Sequence, residues 1–138
     1  MRKDLITRLN EGPVLCAEGY LFAMERRGYL QAGAFVPEVV LEHPEVLSQL
    51  HREFIRSGSD VIQAFTYYGH REKLRIIGKE QLLEPLQKNA LQIAKDSREE
   101  FKDLDLMVCG DVANTNIYDP KDKKSNIECQ KMFEEQVA

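Results

Sequence analysis

A chain of 138 residues, 43% hydrophobic and 30% charged, has the length of one ordinary domain and the composition of a soluble globular protein. A net charge of −4 gives no basic footprint for nucleic acid or an anionic membrane, and no run approaches the roughly 18 apolar residues of a membrane span. Cys16, Cys109 and Cys129 are odd in number and far apart, and the charged N-terminus has no apolar signal core. Both features argue against a disulfide framework and for a reducing compartment, by default the cytoplasm.

In chain order, Asp4 to Asn10 predicts a short helix with Leu5, Ile6 and Leu9 on one side, stopped by Gly12-Pro13. Val14-Leu15-Cys16-Ala17 is a brief apolar candidate strand. Glu18-Gly19 turns the chain into a helix over Tyr20 to Arg27, closed by Gly28. A surface connection is expected over 29–37, then a further turn over Glu38 to Leu41. Pro44 suits the first turn of a helix that runs to about Ser57, with Leu50, Phe54 and Ile55 at helical spacing and His51, Arg52, Glu53 and Arg56 on the polar side. Ser57-Gly58-Ser59 ends it. Val61 to Phe65 then reads as a strand buried on both faces, and Thr66-Tyr67-Tyr68-Gly69-His70 follows at its carboxyl end, where α/β folds place their chemistry.

Arg71 to Glu84 is largely polar and predicts a loop with a helical turn. Pro85 starts a helix whose Leu86, Ala90, Ile93, Ala94 and Phe101 keep helical periodicity. Leu104 to Cys109 predicts a third strand, followed by the loop Gly110 to Asn116 and a charged turn over Asp119 to Lys124. Ser125 with Glu128 makes a capping box for a last helix bearing Cys129, Met132, Phe133 and Val137. Strands alternating with helices argue for a parallel α/β sheet. Three strands fall short of the roughly five of a flavodoxin-like sheet and of the eight in a closed barrel, so the chain reads as the front part of something larger.

No glycine-rich phosphate loop follows any strand, which removes the dinucleotide and P-loop readings. Cys16 and Cys109 both fall near strand ends and could approach one another. No C-x-x-C or adjacent histidine completes a tetrahedral set, so free thiols in the core are the expectation. His43 and His51 read as capping or solvated residues. His70 stands at the mouth of the second strand, with no visible partner for acid–base work. Tyr67 and Tyr68 cannot both enter the core if the strand continues. Packing over the strand end is the ordinary fate of such rings; the other is to line the loop face, where a ring attracts cations and quaternary ammonium groups above all.

The run from Glu25 to Leu74 contains E-R-R-G-Y, A-G, P-E, E-H-P-E, Q-L-H-R-E-F, a G-S pair and Q-A-F-T-Y-Y in order. It closely resembles the N-terminal part of the betaine–homocysteine S-methyltransferases, of the homocysteine-binding domain family, and the likeness extends through Cys109 to Tyr118. The resemblance implies a (β/α)8 TIM barrel, of which this α/β chain would be about three βα units. Residues 1–138 would then be a partial homocysteine-binding domain, truncated at its C-terminal side. It also implies zinc-dependent methyl transfer from betaine to homocysteine, giving dimethylglycine and methionine. Tyr68 corresponds to the family's betaine-contacting tyrosine and Tyr67 to a neighbouring phenylalanine, while Glu18 and Gly19 would meet the amino-acid end of homocysteine.

Two departures bear on that expectation. The family's Asp-Gly-Gly loop reads Ala17, Glu18 and Gly19 here, so the aspartate is gone. The family's zinc cysteines lie on later strands, and none of Cys16, Cys109 or Cys129 matches one. The expectation is a fragment that is inactive alone, with no catalytic residue, no metal ligand and no tightly bound zinc. The alternative is a non-catalytic paralogue that binds an amino acid or a partner protein, which the change at Ala17 and Glu18 favours. The methyl donor and the oligomeric state stay open.

Overall fold

The computed structural model of the chain describes residues 2–31, 33 and 38–138. Seven helices and two short strands follow one another among the described residues. They are α1 (Leu5–Glu11), α2 (Tyr20–Arg26), α3 (Val39–Glu42), α4 (Pro44–Arg56), β1 (Val61–Gln63), α5 (Arg71–Ile76), α6 (Leu83–Glu99), β2 (Met107–Cys109) and α7 (Lys123–Val137), with a 3₁₀ turn at Glu80–Leu82. The surface connection expected over 29–37 falls in part outside the described residues. None of the described helices is long and apolar enough to cross a membrane.

β1 pairs in parallel with β2, in the register Val61 with Met107, Ile62 with Val108 and Gln63 with Cys109. On the other edge of β1 the expected first strand is reduced to one parallel bridge, Cys16 with Val61. Its two bonds run from Val61 N–H to the Leu15 carbonyl (3.0 Å) and from Ala17 N–H to the Val61 carbonyl (2.8 Å). The strand expected over Val61 to Phe65 also stops early. The Thr66 amide turns back onto the Ala64 carbonyl (2.9 Å), and only the Ala64 amide still reaches the Cys109 carbonyl (2.8 Å).

The core lies between this small sheet and helices α4 and α6. Val46, Leu47, Leu50 and Ile55 of α4 meet Leu83, Leu86, Ala90 and Ala94 of α6 and the fully buried Ile62 of β1. The two alanines let the helix backbones approach closely. Gly58 takes φ 99° after α4, a conformation strained for any residue with a side chain. It lets the Ser59 amide reach the Phe54 carbonyl (3.1 Å) and closes the helix end.

Three local expectations are corrected. His51 is not solvated: it is fully buried, and its Nδ1 lies 2.8 Å from the Tyr20 hydroxyl. The Ser125 capping box does not form, because Asp122 supplies the capping oxygen to the Lys124 amide (2.9 Å) and the helix starts at Lys123. Ser125 is buried inside the first turn, bonded to the Asp119 and Asp122 carbonyls. The segment 71–84 is more ordered than a loop, since His70 caps a six-residue helix there. The helix expected at the N-terminus forms, and its Leu5, Ile6 and Leu9 are all exposed. That helix is held through its polar side, where Arg8 reaches the Asp60 carboxylate and the Asp105 carbonyl at the amino ends of β1 and β2.

Two buried histidines make stability depend on pH. Burial pushes His51 down to about 4 and also lowers His70, whereas an unfolded histidine titrates near 6.5. Below 6.5 the unfolded chain therefore binds protons that the native chain refuses, and stability falls as pH drops. His51 alone accounts for a loss of about 2 kcal/mol at pH 5 relative to pH 7. Urea midpoints at pH 7, 6 and 5 should move steadily down, and His51→Gln should flatten the slope. Midpoints that do not change across that range would rule out a neutral, buried His51.

Candidate functional site

Three neighbouring parallel segments point their carboxyl ends at one cavity of about 260 Å³. The first contributes Glu18 and Gly19, β1 and its extension contribute Gln63, Phe65 and Tyr67, and Asp111 stands just beyond β2. Tyr20 and Phe22 of α2 complete the wall. No lysine or arginine is among the lining residues, so the charges facing the cavity are two carboxylates.

The position of Asp111 is fixed by Thr66. The Thr66 hydroxyl donates to the Asp111 carbonyl (2.6 Å) and accepts from the Asp111 amide (3.0 Å). One side chain thus replaces the ladder that β1 and β2 have just left. Burial raises the Asp111 carboxyl above its ordinary range, and the nearby charge of Glu18 raises it further. Opposite, the Tyr67 phenol is pushed up to about 12 by its hydrogen bond with Tyr68, by burial, and by the charges of Tyr68 and Asp111. Burial is the main cause at Asp111 and the Tyr68 hydrogen bond at Tyr67, and at both a nearby carboxylate adds a smaller push in the same direction.

Tyr20 ties this cavity to the core. Its hydroxyl accepts from the Gln63 amide (3.4 Å), which leaves its own proton for His51 Nδ1. That arrangement puts the imidazole hydrogen on Nε2, a buried atom with no partner. Burial raises the Tyr20 phenol well above its usual range, so it stays neutral.

Of the four substrate-binding candidates, Glu18, Gly19 and Tyr67 line this one cavity and Tyr68 does not. The Tyr68 ring stacks on Tyr67, with centroids 4.1 Å apart and planes at 23°. Lys73 Nζ lies 4.3 Å from the Tyr68 centroid. Tyr68 takes φ 58°, the left-handed region, in a turn closed by the Gly69 amide on the Thr66 carbonyl (2.9 Å). For a non-glycine residue this costs about 1–2 kcal/mol. Gly69 is required next to it: a Cβ there would lie 2.9 Å from the Thr66 carbonyl oxygen and 2.8 Å from Gln87 Nε2.

His70 is committed to structure. Its Nδ1 accepts from the Lys73 amide (3.3 Å), so its hydrogen sits on Nε2 and is donated to the Asn114 carbonyl (3.0 Å). With both nitrogens bonded to backbone, it has none left for proton transfer. Asp111, Tyr20, Gln63, Phe22 and Phe65 were missed from sequence. Asp111 could have been found from its place two residues beyond a parallel strand.

A larger hollow of about 870 Å³ lies on the far side of Asp111, between α6 and the end of α7. Its cations are already paired within its own wall, Arg71 with Glu135 (2.7 Å) and Lys88 with Glu84. Glu80 and Asp111 also line it, so it differs from the smaller cavity in carrying cations and no aromatic ring and not in its unbalanced charge.

The cysteines do not fit a thiolate-bound zinc. Cys16 and Cys109 flank β1 on opposite edges, and Cys129 is buried in α7. Among the described residues no three of His, Cys, Asp and Glu converge on a point that could hold a metal. Burial, and then the neighbouring Cys16, raise the Cys109 thiol, which disfavours the thiolate a zinc ion needs.

A sequence profile of the family described as homocysteine S-methyltransferase matches residues 19–138. Betaine–homocysteine S-methyltransferase 1 from Bos taurus is 39% identical over 142 residues, covering 99% of this chain and 34% of its own length. The Danio rerio protein of the same name is 40% identical over 138 residues, again covering 99% of this chain and 34% of its own. The chain thus spans about a third of the length of these relatives. Among solved structures, the metallated form of the homocysteine methyltransferase MmuM from Escherichia coli aligns with a TM-score of 0.76 at 20% identity. The alignment covers 96% of this chain and 51% of that one. At that identity the likeness is one of fold.

The thiol environments predict an unequal reaction with Ellman's reagent at pH 7.5. Cys16 is exposed, Cys109 half-buried with a raised pKa, and Cys129 buried. One thiol should react fast and two slowly, and Cys16→Ser should remove the fast phase. Two or more fast thiols in the native protein would contradict this placement.

Proposed function

This chain belongs to the homocysteine S-methyltransferase family, and on that premise we propose that it forms the part of such an enzyme's site that receives substrate ammonium groups. One observation carries the reading: a single cavity holds the Tyr67 ring and two carboxylates, Glu18 and Asp111, with no lysine or arginine in its lining. The relatives are betaine–homocysteine S-methyltransferases by name, and both of those compounds carry an ammonium group. The two ammonium groups differ in what they need. A primary ammonium needs hydrogen-bond acceptors, which Glu18 and Asp111 supply beside the backbone at Gly19. A trimethylammonium group has no N–H to donate and is best met by a ring face, which Tyr67 supplies with Tyr68 stacked behind it.

On this reading Glu18 and Asp111 together take over from the carboxylate absent at Ala17, which is itself buried. Residues 1–138 form a partial homocysteine-binding domain, the first three βα units of a (β/α)8 barrel in a cytoplasmic protein. The chain binds and orients substrate. Zinc, when bound in such enzymes, supplies the activation of the homocysteine thiol. The cysteines here do not provide for that, so the chain alone binds without turning over. A second reading, a non-catalytic paralogue that binds an amino acid, is favoured by Ala17 and shares the same cavity.

Binding by calorimetry at pH 7 tests the assignment. Asp111→Asn should weaken homocysteine about 10- to 100-fold, the range of a charge-assisted hydrogen bond. Tyr67→Leu should weaken betaine about 2- to 30-fold. Homocysteine affinity should also fall on acidification, starting above the ordinary carboxylate pKa of 3.8 because Asp111 is raised, and Asp111→Asn should remove that early onset. Unchanged homocysteine binding in Asp111→Asn would sink the ammonium assignment. Methionine formation from betaine and homocysteine by the purified chain would overturn the view that it only binds.

A further inference from the structure

The geometry points to Gln136, on the last turn of α7, as the positioning residue that aims the Asp111 carboxylate into the ammonium cavity. The inference rests on the ammonium-binding role proposed above and identifies what sets the direction of its charge. Asp111 lies beyond the end of β2, so no ladder holds it. Thr66 fixes where it stands through two bonds to its backbone, but both end on one atom, Oγ1. Two bonds to a single oxygen leave the Asp111 segment free to turn about that point. Gln136 supplies a second anchor from a different element: its Nε2 donates to the Asp111 carbonyl over 3.1 Å. Both lone pairs of that carbonyl oxygen are then engaged, one by Thr66 and one by Gln136. With the backbone tied at two places, the direction of the Asp111 Cα–Cβ bond is set, and the residue it carries lines the cavity.

The orientation of the Gln136 amide agrees with this role. A carbonyl can only accept, so the amide must present its nitrogen, and this leaves Gln136 Oε1 buried without a partner. An unpaired buried acceptor is a cost, and here it comes with an orientation that serves the Asp111 carbonyl. The helix itself has other attachments. Arg71 pairs with Glu135 (2.7 Å), the Phe133 ring meets His70 at 5.8 Å and 82°, and Cys129 and Met132 are buried. Gln136 is absent from the lining of the ammonium cavity and lines the hollow on the far side of Asp111. It therefore acts on a ligand in the cavity through Asp111.

The test follows homocysteine binding by calorimetry and, in the unliganded chain, the titration of the Asp111 carboxyl carbon by NMR. Gln136→Met keeps the length of the side chain and removes its donor. It should weaken homocysteine about 2- to 10-fold, the range of one neutral hydrogen bond. It should also bring the Asp111 midpoint down toward the ordinary 3.8, because a carboxyl released from its place is less buried. In an Asp111→Ala chain, where no carboxyl remains to aim, Gln136→Met should cost homocysteine nothing further. Glu135→Gln breaks the neighbouring ion pair at the same end of α7 and should leave both readouts as in the unaltered protein. An unmoved Asp111 midpoint in Gln136→Met overturns the proposal, as does an equal change in Glu135→Gln or an equal loss of affinity in the Asp111→Ala background. If the midpoint drops while homocysteine binding is absent or unchanged, the positioning role stands and the ammonium role proposed above fails.

Discussion

β1 runs between two parallel neighbours, a single bridge at Cys16 on one side and the β2 ladder on the other. Because all three segments run the same way, their carboxyl ends emerge together, and Glu18, Tyr67 and Asp111 meet without being near in sequence. Antiparallel pairing on either side would send one of them to the opposite end of the sheet. Parallel pairing needs long connections to reverse the chain, and α4 and α6 fill that need while covering the fully buried Ile62. The site is therefore a consequence of strand direction before it is a consequence of any particular side chain.

Side chains take over where the ladder stops. Thr66 makes a two-way exchange with the Asp111 backbone, and Tyr20 bridges the Gln63 amide to His51. Each extends the order of the strands by one more layer toward the cavity. The arrangement leaves His51 Nε2 buried and without a partner. Such an atom costs about 1–3 kcal/mol, so the Tyr20 contact is held against a penalty on the other side of the same ring. A rigid cavity floor is what that arrangement provides.

How far the sequence shows this depends on whether a signal is local. Pro44, Gly58 and the apolar run at Val61 carry their instructions within a few residues, and α4 and β1 form where those residues direct. His51 was misplaced by residue type, not by spacing: Leu47, Leu50, His51 and Phe54 follow the interval of one helix face, and the imidazole lies on it. Ser125 had a complete capping pattern, yet Asp122 offers the same oxygen three residues earlier and closes the turn first. The exposed face of α1 was legible as apolar, but what covers an apolar face is a tertiary fact. The pairing of Lys73 with Tyr68 was hidden for a related reason, since it depends on a left-handed tyrosine that no residue pattern announces.

The loss of a carboxylate at Ala17 invites the conclusion that ammonium recognition has gone with it. The electrostatics argue otherwise. Charge recognition in a half-buried cavity depends on the sum of nearby fixed charges more than on the position of any one. Burial and then Glu18 raise the Asp111 carboxyl, and Asp111 adds to a rise at Tyr67 whose main cause is the hydrogen bond with Tyr68. The cavity lining holds these two carboxylates and no lysine or arginine to offset them. A site that carried its charge at the Ala17 position would place a single carboxylate under the first strand end. This one spreads two across the mouth, where the aromatic wall already stands.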